Sequence, residues 1–331
     1  MNAQELINQY TAGKKKFDKA SLVGVNLIGA DLIGIILNEA NLQSATLIFT
    51  YLSRAQLEKA NLIATKLSGA YLTKANLYGA NLHSADLHGA VLQGSDLRNT
   101  IISLANLLDA NLMSADLRGA DLAGANLTGA CLRGANFREE RRVYKSNLRG
   151  AILYKADVLG ANFKGANLAK VNLREANLRE VSLSGADLRG ADLSKANLKG
   201  ASLVDANLVG TKLIDTNLAN ARVNRAELKE AQMMGVNLQG AIMSQTNLIG
   251  ADLRNADMTN ASIVRCDFSR ADLTAANLSQ SDLTGTFLTR ANLMNANLSY
   301  VDLTQADMSG ANMRGVNLEG ATMPDGSVND Y

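Results

Sequence analysis

Tryptophan is absent from this chain, and proline occurs once in 331 residues, at Pro324. Proline removes a backbone donor and is tolerated in sheets only at edges and bulges, so a body without it can use nearly every N–H for pairing. Cysteine is reduced to Cys131 and Cys266, too few for a disulfide framework. The two histidines, His83 and His88, have no cysteine or third histidine beside them, which leaves no metal-ligand spacing. Neither sign of charge dominates: 33 Lys and Arg face 31 Asp and Glu, a formal net of +2. That balance gives no global footprint for nucleic acid or an anionic membrane. No apolar run approaches the roughly 18 residues of a membrane span. Residues 1–20 are polar and lysine-bearing, without the apolar stretch of a signal peptide, so a cytoplasmic protein is expected. No nucleophile–base arrangement or phosphate loop is visible either. The expectation is a protein that is not an enzyme, with no cofactor and no metal.

What fills the space is repetition. Ala115-Asp116-Leu117-Arg118-Gly119 is followed by Ala120-Asp121-Leu122-Ala123-Gly124 and Ala125-Asn126-Leu127-Thr128-Gly129. From Phe17 to Phe137 an apolar residue recurs every five positions; after one slip the series resumes at Val143, Leu148 and Leu153 and runs to Met323. All 62 such centres are apolar and 47 are leucine, a phase that no irregular globular sequence would hold. On an α-helix successive centres would fall about 140° apart and cover every side. On a flat strand an odd period would send them to alternate faces. The centre and the residue two before it, usually alanine, can share one interior only if the chain turns a corner in each pentapeptide. Glycine two residues after the centre, as at Gly69 and Gly119, suits a corner that needs positive φ. The Asp and Asn before each centre, too numerous to be catalytic, suit a short side chain that satisfies a nearby turn N–H.

In its A(D/N)LxG phrase the chain resembles the pentapeptide repeat family over almost its whole length. The resemblance implies an all-β, right-handed quadrilateral β-helix, a solenoid with four pentapeptides per coil and residues i and i+20 stacked. Sixty-two centres would then make about 15 coils. The repeats and the N-terminal cap resemble those of cyanobacterial members, some of which are regulators of heterocyst differentiation; other members of the family are DNA mimics.

The flanks and the slip divide the chain. Residues 1–16 contain a short helix with Asn2 as N-cap, Glu5 at the capping-box position and Gly13 as its stop, expected to cap the first coil. The first repeat block is 17–137 and the second 147–323. Between them, at 138–146, a one-residue register slip places Arg141 in a slot that elsewhere holds an inward alanine. An unpaired charge is too costly to bury there, so a bulge or loop that turns Arg141 outward is expected. The tail 324–331 is too short for a second helix and leaves the last apolar centres with little cover, which suggests an end-to-end homodimer through the C-terminal coil.

Function must then lie in the outward slots. Tyr51, Tyr71 and Val91 are spaced by 20 and should stack on one side; Ile28 and Ile48 should stack on the preceding side, with Phe49 at the corner and Ile33 nearby. Contiguous apolar surface of this kind marks partner sites. Arg141 and Arg142 add a second candidate, since loops on scaffolds are favoured recognition sites. Between residues 138 and 199 there are 13 Lys and Arg against 7 acids, a local excess of +6. Stacking aromatics are sparse in that band, which disfavours nucleic acid as a partner. The expected function is a non-enzymatic scaffold, regulatory in role, that binds an unidentified protein. The family's DNA-mimic role on a type II topoisomerase is the alternative, and a net charge of +2 and the lack of a C-terminal dimerisation module disfavour it.

Overall fold

The computed structural model describes residues 1–139 and 145–329. They form two compact units, Met1–Val171 and Asn172–Tyr331. The first unit begins with helix α1 (Ala3–Thr11), whose N-cap Asn2 accepts the Glu5 N–H at 2.8 Å. The reciprocal arm of a capping box is missing, because the Glu5 carboxylate accepts from Gln9 instead, at 3.2 Å. Leu6 is fully buried, and the Tyr10 hydroxyl donates to the Ile33 carbonyl at 2.7 Å, which ties the helix to the start of the repeats.

From Lys16 the chain winds in parallel coils of 20 residues. Lys16 bridges Ile36, Ser21 bridges Asn41, Asn26 bridges Thr46 and Asp31 bridges Tyr51, so four five-residue sides close one turn. The second unit repeats this register from Asn172↔Asp192 to Asp302↔Thr322. A side this short cannot form a strand of ordinary length. Each side contributes one bridging residue, and its bonds run between coils: the Leu117 N–H donates to Asn136 O at 2.7 Å and the Asp116 N–H to Ser95 O at 3.0 Å.

Among the described residues the sides end in hydrogen-bonded turns, such as the Ala120 N–H to Leu117 O at 3.0 Å. Among the described residues the third residue of nearly every such turn has positive φ, the pattern of a type II turn. Glycine meets the requirement without strain, yet 34 non-glycine residues among those described adopt the same conformation. None of the 34 is Val, Ile or Thr, the residues for which positive φ is least tolerable. The second residue of the turn gives its N–H to the side chain two positions back, as Ala123 does to Asp121 at 3.1 Å. This Asx turn is why Asp or Asn precedes so many centres.

Inside the coils the leucine centres and the preceding alanines are buried. Where a Ser or Thr replaces the alanine, its hydroxyl is satisfied by a backbone carbonyl: Thr211 donates to Leu188 O at 3.1 Å and Thr246 to Val223 O at 2.7 Å. Cys266 occupies the same slot and gives its thiol to Met243 O.

The break between the blocks differs from the one-residue slip. Asp121 bridges Asn147, Asn126 bridges Ile152, Cys131 bridges Asp157 and Asn136 bridges Asn162, each 26 apart; Asn147 and Asn167 restore the spacing of 20. One coil therefore takes in six extra residues between Phe137 and Leu148. The chain stays in register through Glu139, whose N–H donates to Lys164 O at 2.8 Å. It re-enters at Ser146, which takes an inward alanine slot. The Ser146 hydroxyl donates to Leu117 O at 2.9 Å and accepts the Gly119 N–H at 3.1 Å, completing the bonds of the coil below. Phe137 and Phe163, stacked with centroids 4.5 Å apart, fill the core beside this break. Val143, Arg141 and Arg142 lie outside the described residues.

At the other end of the second unit Leu303 is fully buried, whereas the centres Met308, Met313, Leu318 and Met323 are half-buried. The tail folds back as a small antiparallel pair: Thr322 bridges Val328, and the Gly320 N–H donates to Asn329 O at 2.8 Å.

Candidate protein-binding surface

Within the first unit two adjacent sides carry apolar residues in outward slots. One side contains Ile28 and Ile48 on neighbouring coils; the next contains Ile33, then Tyr51, Tyr71 and Val91 bridged in sequence. Phe49 stands on the corner between them with φ +55°. Its side chain runs along the coil axis into the space that a β-carbon at Gly69 would fill. Gly69 is therefore the seat of Phe49, and the residue remains 59% exposed. Tyr51 and Tyr71 stack with centroids 4.9 Å apart and planes within 4°. With those ring faces against each other, edges and hydroxyls point outward, and neither hydroxyl has a hydrogen-bond partner among the described residues. Ile28, Ile33, Phe49, Tyr51 and Tyr71 are exposed, while Ile48 and Val91 are half-buried. The sequence-based group thus forms one continuous surface, except for Arg141 and Arg142, which lie outside the described residues.

The spacing did not single out other apolar residues that are also exposed: Ile101, Leu104, Ile242, Phe287 and Tyr300. Leu104 and Tyr300 repeat the Phe49 arrangement, each lying over the glycine one coil on, Gly124 and Gly320. The signal was available, a bulky residue in a corner slot followed 20 positions later by glycine.

Several of the remaining polar candidates have structural partners. His83 Nδ1 lies 2.9 Å from Ser103 Oγ. Burial pushes the Cys266 thiol up to about 12, which leaves it protonated and unreactive at neutral pH. In the basic band Lys145 pairs with Glu139 at 3.6 Å and Arg189 with Asp187 at 2.7 Å. Among the described residues no group of three His, Cys, Asp or Glu is placed to hold a metal ion. No helix among them is long and apolar enough to cross a membrane.

The description Pentapeptide repeats matches in overlapping copies through residues 20–139, 144–229 and 231–325. The chain belongs to the pentapeptide repeat family. Proteins of this family fold as right-handed quadrilateral β-helices, which agrees with the four-sided coils described above. Among solved structures the chain is similar to HetL, a pentapeptide repeat protein involved in heterocyst differentiation regulation from the cyanobacterium Nostoc. The identity is 30%, over 99% of this chain and 100% of HetL, with a TM-score of 0.23. A second is Rfr23 from the cyanobacterium Cyanothece, at 29% identity over 35% of this chain and 85% of Rfr23, TM-score 0.23. A third is QnrB1, a plasmid-mediated fluoroquinolone resistance protein, at 22% identity over 54% of this chain and 82% of QnrB1, TM-score 0.28. No curated protein matches.

Proposed function

We propose that this chain is a non-enzymatic, regulatory protein–protein interaction scaffold that holds its partner on the surface around Phe49, Tyr51 and Tyr71. The observation that carries this reading is the continuity of that surface across two sides and a corner, with exposed aromatic edges and free tyrosine hydroxyls. Large, stiff, amphipathic side chains of this type are enriched at protein interfaces. The regulatory part of the reading is supported by the similarity to HetL. The DNA-mimic reading on a type II topoisomerase requires strong negative charge, and the net of +2 argues against it. We also propose that the half-buried Met308, Met313 and Leu318 meet a second copy end to end, which analytical ultracentrifugation would exclude by showing a monomer at high concentration.

The partner site is tested by affinity capture from the native host with the wild type and with Tyr51→Ser plus Tyr71→Ser. The expected result is loss of one specific partner from the double variant, with its thermal unfolding unchanged. Undiminished capture would overturn this placement of the site.

A further inference from the structure

Nine lysines and arginines lie between Lys16 and Arg133. Six are ion-paired: Lys16 with Asp18, Lys19 with Glu39, Lys59 with Glu58, Arg98 with Asp96, Arg118 with Asp116 and Arg133 with Asp157. Arg54, Lys66 and Lys74 have no ion-pair partner among the described residues, and all three are exposed. Their positions are not scattered. Lys66 opens the isoleucine side, one coil on from Thr46 beside Ile48. Arg54 and Lys74 each follow a stacked tyrosine by three residues, so they stand one above the other on the far corner of the tyrosine side, both with positive φ. The unpaired cations of this stretch therefore bracket the apolar surface on both edges.

The nearest acid on the Lys66 ladder is committed elsewhere. Asp86, which bridges Lys66, accepts from Ser68 Oγ at 2.6 Å and from Asn106 Nδ2 at 3.0 Å. An apolar centre with a rim of free positive charge is complementary to a segment whose apolar side chains are flanked by carboxylates. We infer that the partner element seated on this surface is an acidic, amphipathic protein segment, its apolar residues against Ile48, Phe49, Tyr51 and Tyr71 and its carboxylates toward Lys66 on one edge and Arg54 and Lys74 on the other. This rests on the surface being the partner site, and it adds the chemistry of the occupant.

The test uses the full chain and a random-peptide display library, selected on the wild type and counter-selected on Tyr51→Ser plus Tyr71→Ser. Enriched peptides are synthesised and their affinities measured by fluorescence anisotropy for the wild type and for Arg54→Gln plus Lys66→Gln plus Lys74→Gln. The expected peptides combine large apolar residues with Asp and Glu and lose about tenfold in affinity on the triple variant, because three exposed rim charges are removed together. That loss should shrink as salt is raised. Peptides that need both tyrosines but are neutral or basic, and indifferent to the triple variant, would overturn the acidic segment while leaving the surface as a site. Selection that returns no tyrosine-dependent peptide would overturn both. Thermal melts of the two variants that coincide with the wild type show that any loss of binding is not a loss of fold.

Discussion

Residues 115–129 and residues 26–92 have the same inside and different outsides. In both stretches the centres, Leu117, Leu122 and Leu127 or Leu52, Leu67 and Leu72, are buried almost completely, and the coils are joined by the same ladder of bridges. Outside, the first stretch is self-sufficient: Arg118 grips Asp116 at 2.5 Å, and Asp121 and Asn126 satisfy the turn N–H groups of Ala123 and Thr128. The second stretch leaves aromatic edges and three cations without partners. The core and the proposed recognition surface thus occupy different slots of one pentapeptide, and either can change without the other.

Equality of the two interiors is the claim easiest to break. Leu52→Ala and Leu117→Ala should each lower stability by about 2–5 kcal/mol, from lost transfer energy plus the cavity left behind. Both are read from denaturant unfolding of the full chain. A near-neutral result for one alone would mean that the early coils are packed differently from the regular ones. A smaller effect separates the two outsides. Gly69→Ala pushes a β-carbon into the Phe49 ring, whereas Gly150→Ala meets nothing within 4 Å, and both adopt positive φ. Each should lose on the order of 1 kcal/mol to backbone strain. Only Gly69→Ala should also weaken partner capture, because it alone unseats Phe49. Equal capture by both variants would remove Phe49 from the site.

The smallest effect concerns charge. Burial acts to raise the pKa of Asp96, but the hydrogen bonds from Arg98 and the charges of Arg98 and Arg118 outweigh it and hold the carboxyl below its ordinary value. A depressed carboxylate stabilises fully above its unfolded pKa, and that contribution is lost as pH falls through the depressed value. Arg98→Gln should therefore lower stability by about 0.2–1 kcal/mol at neutral pH, and the gap in thermal midpoint should close in strong acid. A gap that persists in acid would assign the effect to packing of Arg98 over the Tyr78 ring, 5.4 Å away. Neutralising Arg54, Lys66 and Lys74 should leave stability unchanged over the same pH range.

The resemblance to the pentapeptide repeat family supplied four sides per coil, and with them the stacking of i on i+20 and the outward Tyr ladder; the periodicity alone determined a corner in each pentapeptide, the inward Leu and Ala and the turn role of Asp and Asn. Those features follow from local steric and hydrogen-bonding rules that repeat every five residues, so phase is enough to read them. The break between blocks was legible as a place and not as a length. A five-residue ruler measures one residue of slip, but only the bridge from Asp121 to Asn147 shows that six residues are taken in and that Ser146 rejoins the ladder. Which cations are left without partners was likewise decided by tertiary structure. Ion pairing depends on where residues one coil apart bring their side-chain tips, as with Arg133 and Asp157 across 24 positions, and no period of five specifies that. The seat of Phe49 on Gly69 belongs to the same class: it exists because coils stack and a missing side chain one turn along the axis leaves room for a ring.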